Sequence, residues 1–216
     1  RSTQGVSSAA SDVYKRQPQV GLLALQAAAY KDVDPYPLDI LGAESVGMIG
    51  YLVEQELTNE MPAGSRIATL LTQIEVDRDD PAFARPEKPI GPVYTQDEAL
   101  KAKEAHGWPM VEEAQGRWRR VVPSPLPARI TQIETIRLLV EAGVTVICAG
   151  GGGIPVARDA NGTLHGLEAV IDKDRAACLL AKALGADAFL MLTDVDAVYD
   201  AVSYTHLRAH ETKANL

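Results

Sequence analysis

The sequence predicts an α/β fold, a three-layer α/β/α sandwich around a mostly parallel sheet, and three observations lead there. First, β-branched runs alternate with stretches of helical period, the order that builds a parallel sheet covered on both faces. Second, one such run, Val144-Thr-Val-Ile-Cys-Ala149, ends directly in four glycines, Gly150–Gly153. Third, the apolar run Ala188–Leu192 ends in Thr193-Asp-Val-Asp196. In sheets of this kind ligands bind at the carboxyl ends of the strands, where both of these clusters fall.

The two ends stand apart. Residues 1–17 are polar, rich in Ser and Ala, and without apolar period; residues 201–216 show none either. Both strings resemble translated adapter DNA joined to an open reading frame, the alternatives being a disordered terminus or an expression tag. The domain is therefore expected over residues 18–200, with a lid-like excursion within residues 77–125.

Along that domain, Pro18–Tyr30 reads as an Ala-rich helix with proline in its first turn. Leu38–Leu57 is a second helix, with Leu41, Ser45, Met48, Ile49 and Leu52 along one face. Arg66–Val76 reads as a strand, and Asp77–Pro92, rich in proline and charge, as a loop. Thr95 and Glu98 form a capping box for a short helix to Ala105. Trp118–Val122 is a strand stopped by Pro123-Ser-Pro125. Thr131 and Glu134 offer a second capping box, for a helix whose apolar stripe is Ile133, Ile136, Leu139 and Val140. Val144–Ala149 follows as a buried strand. Asn161-Gly162 signals a hairpin turn between Ile154–Arg158 and Thr163-Leu164. Lys173–Leu184 is a helix, with Ala176, Leu179, Leu180 and Ala183 inward, and Ala188–Leu192 a last short strand.

Composition excludes several classes of function. The chain has 216 residues and a formal net charge of −8, and its end segments hold more basic than acidic residues, so the domain itself is more acidic still. Such a surface repels nucleic acid and anionic membrane. No stretch is long and apolar enough to span a bilayer. The two cysteines, Cys148 and Cys178, make neither a disulfide framework nor a metal-ligand spacing, and a reducing cytoplasm fits them. No protein-held metal is expected.

The residues that carry chemistry are few. Glycines at a strand end let a ligand approach the backbone and turn N–H groups towards an anion, although the run has neither dinucleotide-binding nor P-loop spacing. Asp172-Lys173-Asp174 opens a helix. Asp172 alone would serve as an N-cap, yet a lysine at a helix N-terminus, with a carboxylate to hold it in register, suits phosphoryl transfer, which depends on positioning and charge neutralisation. Lys88-Pro-Ile-Gly-Pro92 reads as a rigid turn carrying one lysine. Thr193 and Asp194 could end a strand or face a ribose or a metal-bound phosphate. Trp118-Arg119-Arg120 reads as solvated charge at a strand end, and His106 and His165 receive no role.

Pro18-Gln-Val-Gly21, Lys88-Pro-Ile-Gly-Pro92, Trp118-Arg-Arg-Val-Val-Pro-Ser-Pro125, Cys148-Ala-Gly-Gly-Gly-Gly-Ile-Pro-Val156, Glu168-Ala-Val-Ile-Asp-Lys-Asp174 and Leu192-Thr-Asp-Val-Asp196 occur in this order. Together they resemble the carbamate kinases of the amino-acid-kinase superfamily over essentially all of residues 18–200. The resemblance implies a cytoplasmic homodimer acting on small molecules. It implies reversible phosphoryl transfer between ATP and carbamate, giving ADP and carbamoyl phosphate, with Mg²⁺, in arginine catabolism. It makes Lys173 the group that neutralises the transferring phosphoryl, Asp174 the one that orients the site's lysines, and Asp172 their capping neighbour. Lys88 belongs to the lid and reaches the phosphate side; Gly150–Gly153, Thr193 and Asp194 approach the nucleotide. The family's opening strand with its Ala-Leu-Gly-Gly-Asn-Ala-type phosphate loop, its Gly-Asn-Gly segment and its C-terminal portion find no match. The chain is therefore expected to be an internal fragment without turnover of its own. The alternatives are an amino-acid kinase with another acceptor, or a non-catalytic nucleotide- or phosphate-binding module.

Overall fold

A computed structural model of the chain describes residues 19–29 and 36–191. The helices are α1 (Gln19–Ala29), α2 (Leu38–Glu60), α3 (Pro81–Ala84), α4 (Gln96–His106), α5 (Ile133–Glu141) and α6 (Lys173–Leu184). The strands are β1 (Ile67–Thr69), β2 (Gln73–Val76), β3 (Lys88–Tyr94), β4 (Met110–Ala114), β5 (Arg117–Val122), β6 (Pro127–Ile130), β7 (Thr145–Ile147), β8 (Ile154–Arg158) and β9 (Leu164–Gly166). The α/β class holds. The pairing is mixed: β1–β7 and β2–β8 are parallel, and β2–β6, β8–β9, β3–β5 and β4–β5 antiparallel. The parallel pairs are the part that alternating strands and helices build; β4–β5 and β8–β9 are short local returns of the chain, whereas β2–β6 pairs only after the chain has run through the whole three-stranded sheet.

The expected strand over residues 66–76 is two strands. Thr72, fully buried, donates from Oγ1 to the Leu70 carbonyl at 3.0 Å and accepts from Ala149 N at 3.0 Å. This local hydroxyl bond breaks the ladder, and the chain passes from the β1–β7 sheet to the sheet of order β6-β2-β8-β9. There Glu75 on β2 is gripped from both neighbours, by Arg129 of β6 and Arg158 of β8, each at 2.7 Å. The hydrogen bond from Arg129 is the main cause that holds the Glu75 carboxyl below its usual range.

Residues 77–92, expected as a loop, are more ordered than that. Asp80 caps α3 through Ala82 N, and Lys88–Tyr94 is a strand rather than a turn. Its two prolines lack N–H groups, which is tolerated because β3 is an edge strand of the sheet β3-β5-β4. The capping box of Thr95 and Glu98 forms as expected. The one expected from Thr131 and Glu134 does not: the N-cap is Gln132, without a side-chain cap. The Gln132 amide bonds instead to Gln73 N and Gln73 Oε1, while Thr131 N continues the ladder to Gln73 O. On α2 the buried positions are Leu38, Leu41, Gly42, Ser45, Val46 and Gly50; Met48, expected inward, is exposed. Residues 188–191 form no strand and pair with none among the described residues, Leu190 being 80% exposed.

Two apolar clusters hold the structure. The larger joins Ile74, Val76, Ile130 and Ala157 of the strands to Ile136 of α5, Ala176 of α6 and Ile171. The smaller joins Ala24 of α1 and Leu38 and Leu41 of α2 to Ile90 of β3 and Val122 of β5. Pro155, Val156 and Ala157 of β8 are buried in succession, as a strand covered on both faces requires. No helix among the described residues is long and apolar enough to cross a membrane.

Candidate phosphate site at the start of helix α6

Helix α6 begins where the sequence places it. Asp172 is its N-cap, accepting from Asp174 N at 3.0 Å and Arg175 N at 3.3 Å, and Gly185, with φ 66°, closes it. The other Asp172 oxygen meets Lys88 Nζ at 2.8 Å, so a lysine on an edge strand is delivered to the helix start from 84 residues away. Partial burial pushes the Asp172 carboxyl up, but the bonds from Lys88 and from the two backbone N–H groups outweigh it, and the group stays below its ordinary range. Because Asp172 occupies those two N–H groups, an incoming anion meets side-chain ammonium groups here more than free helix amides. Lys173 and Asp174 are exposed in the first turn, and among the described residues neither forms an ion pair.

The glycine run folds as a tight turn against this helix start. Ala149 enters it with φ 54°, and Gly151, Gly152 and Gly153 have φ of 64°, 104° and 81°, values that favour glycine. Gly152 N donates to Ala149 O and Gly153 N to Gly150 O. Both are buried. A Cβ at Gly152 would collide with the Ile171 carbonyl oxygen, one residue before Asp172, and one at Gly153 would stand 2.6 Å from Ile74 Cγ1. Gly152 and Gly153 therefore serve close packing, and Gly151 is the exposed member of the run. Thr193 and Asp194 lie outside the described residues.

A cavity of about 420 Å³ lies beside the Lys88–Asp172 pair, with Arg85, Lys88, Ser124, Asp172 and Arg175 in its lining. Lys173, Asp174 and the glycine turn do not line it. Among the described residues no group of three or more acidic, His or Cys side chains gathers in the manner of a metal site.

Sequence reading missed two participants. Glu168 accepts from Leu38 N at 2.7 Å and so caps α2, whose N-cap Pro37 has no side-chain cap of its own. Its other oxygen lies 3.7 Å from Arg120. Arg120, read as solvated, is 11% exposed and lies 4.2 Å over the Trp108 ring, which also stacks on His106. Burial pulls its pKa down, and Glu168 opposes that. No local pattern announces either contact.

The cap and the ion pair of Asp172 are separable. Asp172→Ala is expected to cost about 1–2 kcal/mol, from a lost N-cap and a partly exposed ion pair. Asp172→Asn, which retains a capping oxygen, should cost less. The folded carboxyl titrates below the unfolded one, so its contribution is fully present above about pH 4 and is lost as pH falls through the folded value. Melting curves against pH should therefore show a shallower acid limb in Asp172→Asn; an unchanged limb would mean that the Lys88 pair adds nothing.

Residues 64–211 match the family model described as Amino acid kinase family. Over 182 residues the chain is 56% identical to the carbamate kinase of Haemophilus influenzae, covering 84% of this chain and 58% of that protein. Among solved structures, carbamate kinase from Giardia lamblia bound to citric acid aligns with TM-score 0.75 at 41% identity, covering 88% of this chain and 67% of the other. The same enzyme bound to AMP-PNP aligns with TM-score 0.73 at 40% identity, over 88% and 66%. The chain thus spans about 58% of the length of the curated relative it matches.

Proposed function

Since the chain belongs to the amino acid kinase family, we propose that the whole protein is a carbamate kinase, transferring a phosphoryl group between carbamoyl phosphate and ADP to give carbamate and ATP, reversibly. The observation that carries this reading is the arrival of Lys88 at Asp172, 2.8 Å away, directly before Lys173, with the glycine turn packed on Ile171 one residue before Asp172. Two ammonium groups and a backbone turn at one helix start suit a reaction in which positioning and charge neutralisation do most of the catalysis. Relatives that carry the name carbamate kinase, one of them bound to AMP-PNP, support it.

In this reading Lys173, exposed in the first turn, meets the transferring phosphoryl oxygens. Lys88, held by Asp172, supplies a second ammonium group at the helix start, and Asp174 orients the lysines once substrate is bound. Gly151 and Gly150 offer the side of the turn that a phosphate can approach, with Gly152 and Gly153 shaping it; Thr193 and Asp194 serve the nucleotide. Mg²⁺ suits this donor set as an ion carried by the nucleotide, because Asp172 is already engaged and Asp174 gives a single exposed carboxylate. When bound it neutralises phosphate charge. The protein acts in the cytoplasm as a homodimer, on carbamoyl phosphate supplied by arginine breakdown.

The test is ATP formation from carbamoyl phosphate and MgADP by the whole protein. Turnover is the expected result. Absence of ATP together with phosphorylation of a different small acid or a nucleotide would replace the acceptor, and nucleotide binding without any transfer would reduce the protein to a binding module.

A further inference from the structure

The five residues that lead into α6, Glu168 to Asp172, form a seam between the larger apolar cluster and the three-stranded sheet. Alternate positions face opposite ways. Ala169 and Ile171 are each 1% exposed, and Ile171 belongs to the larger cluster. Glu168, Val170 and Asp172 meet the three-stranded sheet instead. Arg120 of β5 reaches Glu168 at 3.7 Å, Pro123 O accepts from Val170 N at 3.0 Å, and Lys88 of β3 reaches Asp172 at 2.8 Å. At the centre the Val170 N–Pro123 O bond is joined by Val170 packing on the smaller cluster, which holds Ile90 of β3 and Val122 of β5; the side-chain pairs at either end fix how the sheet's outer positions meet the seam.

The Arg120 end is the stiffer anchor. Its guanidinium is stacked on Trp108 and almost fully covered, and its Nε is buried without a hydrogen-bond partner. Glu168 is fixed in turn by its bond to Leu38 N. The pair is too exposed on the Glu168 side, at 57%, to add much stability. Its consequence lies in geometry.

We propose that Glu168 is a positioning residue: by holding Arg120 it fixes the three-stranded sheet on the seam and thereby sets where the Lys88 ammonium stands at the start of α6. Only the catalytic use of Lys88 rests on the function proposed above.

The test uses the full chain and a readout that does not require activity. Glu168→Gln keeps an acceptor for Leu38 N but removes the charge that holds Arg120. The Asp172 carboxyl, which Lys88 helps to hold low, is titrated by carbon-detected NMR in wild type, Glu168→Gln and Lys88→Met. In Glu168→Gln its midpoint should rise by at least half the rise seen in Lys88→Met, with little change in melting temperature. A midpoint that stays at the wild-type value while Lys88→Met raises it overturns the proposal. If Glu168→Gln fails to fold, Arg120→Gln, which removes the charge that Glu168 holds, is read in the same way; loss of folding in both also overturns it, because a positioning role leaves the fold standing. In the whole protein Glu168→Gln should lower kcat about 10-fold with KM for ADP unchanged. Absence of phosphoryl transfer altogether would defeat the proposed function, whereas the NMR result decides the role of Glu168 by itself.

Discussion

Lys173→Ala is expected to lower the kcat of the whole protein by about 10²-fold or more while leaving its stability unchanged or slightly raised. The magnitude is that of removing one electrostatic stabiliser from a transition state. The stability half follows from position. A cation in the first turn of a helix opposes the macrodipole, at about 0.3–1 kcal/mol. Lys173 occupies that turn, exposed and without an ion pair among the described residues, and Asp172 alone caps the helix. A residue placed against its local electrostatics without a structural return is where function is expected. Kinetics and a melting curve on the same variant check both halves. A variant with near-normal turnover would leave Lys173 a solvated surface charge, and a loss of stability matching the loss of rate would make its role structural.

Gly152→Ala should be the most damaging small substitution in the described fold, costing about 3 kcal/mol or more. Part is conformational: φ of 104° lies outside the range of L residues, at about 1–3 kcal/mol. The rest is collision with the Ile171 carbonyl oxygen, which cannot retreat because Ile171 is 1% exposed in the larger cluster. A domain has a net stability of about 5–15 kcal/mol, so the loss is a large share. Gly64→Ala is the reference, since Gly64 has φ of 89° but nothing within 4 Å of an added Cβ. Denaturant titrations should give Gly152→Ala the larger cost; equal costs would mean that the turn is free to move away from the seam.

What was legible in the sequence was local. Helix α6 could be bounded because an aspartate cap, a 3.6-residue apolar period and a terminal glycine lie within fourteen residues, and the Thr95–Glu98 box because both partners sit in one turn. The motif strings identified the family because their order, rather than any single one, is specific. What failed was non-local. Two prolines made Lys88–Pro92 look like a turn, and only its place at a sheet edge, set by β5, makes it part of a strand, Lys88–Tyr94. Thr131 and Glu134 have capping-box spacing, but Gln132 is drawn to Gln73, 59 residues away. Arg120 looked solvated because Trp108 and Glu168 come to it through the fold. The same holds for the site: Asp172 as a cap was readable, whereas its contact with Lys88 was not, and the inward use of Gly152 and Gly153 appears only once Ile171 and Ile74 are packed against them.

The central claim is that the glycine turn, the start of α6 and the Lys88 strand converge on bound phosphate. Amide shift mapping by NMR on addition of MgADP, and separately of carbamoyl phosphate, tests it most directly. The predicted result is perturbation concentrated at Gly150 and Gly151, at Lys173 to Arg175 and at Lys88. Saturable binding with shifts elsewhere, and none at these positions, would contradict it.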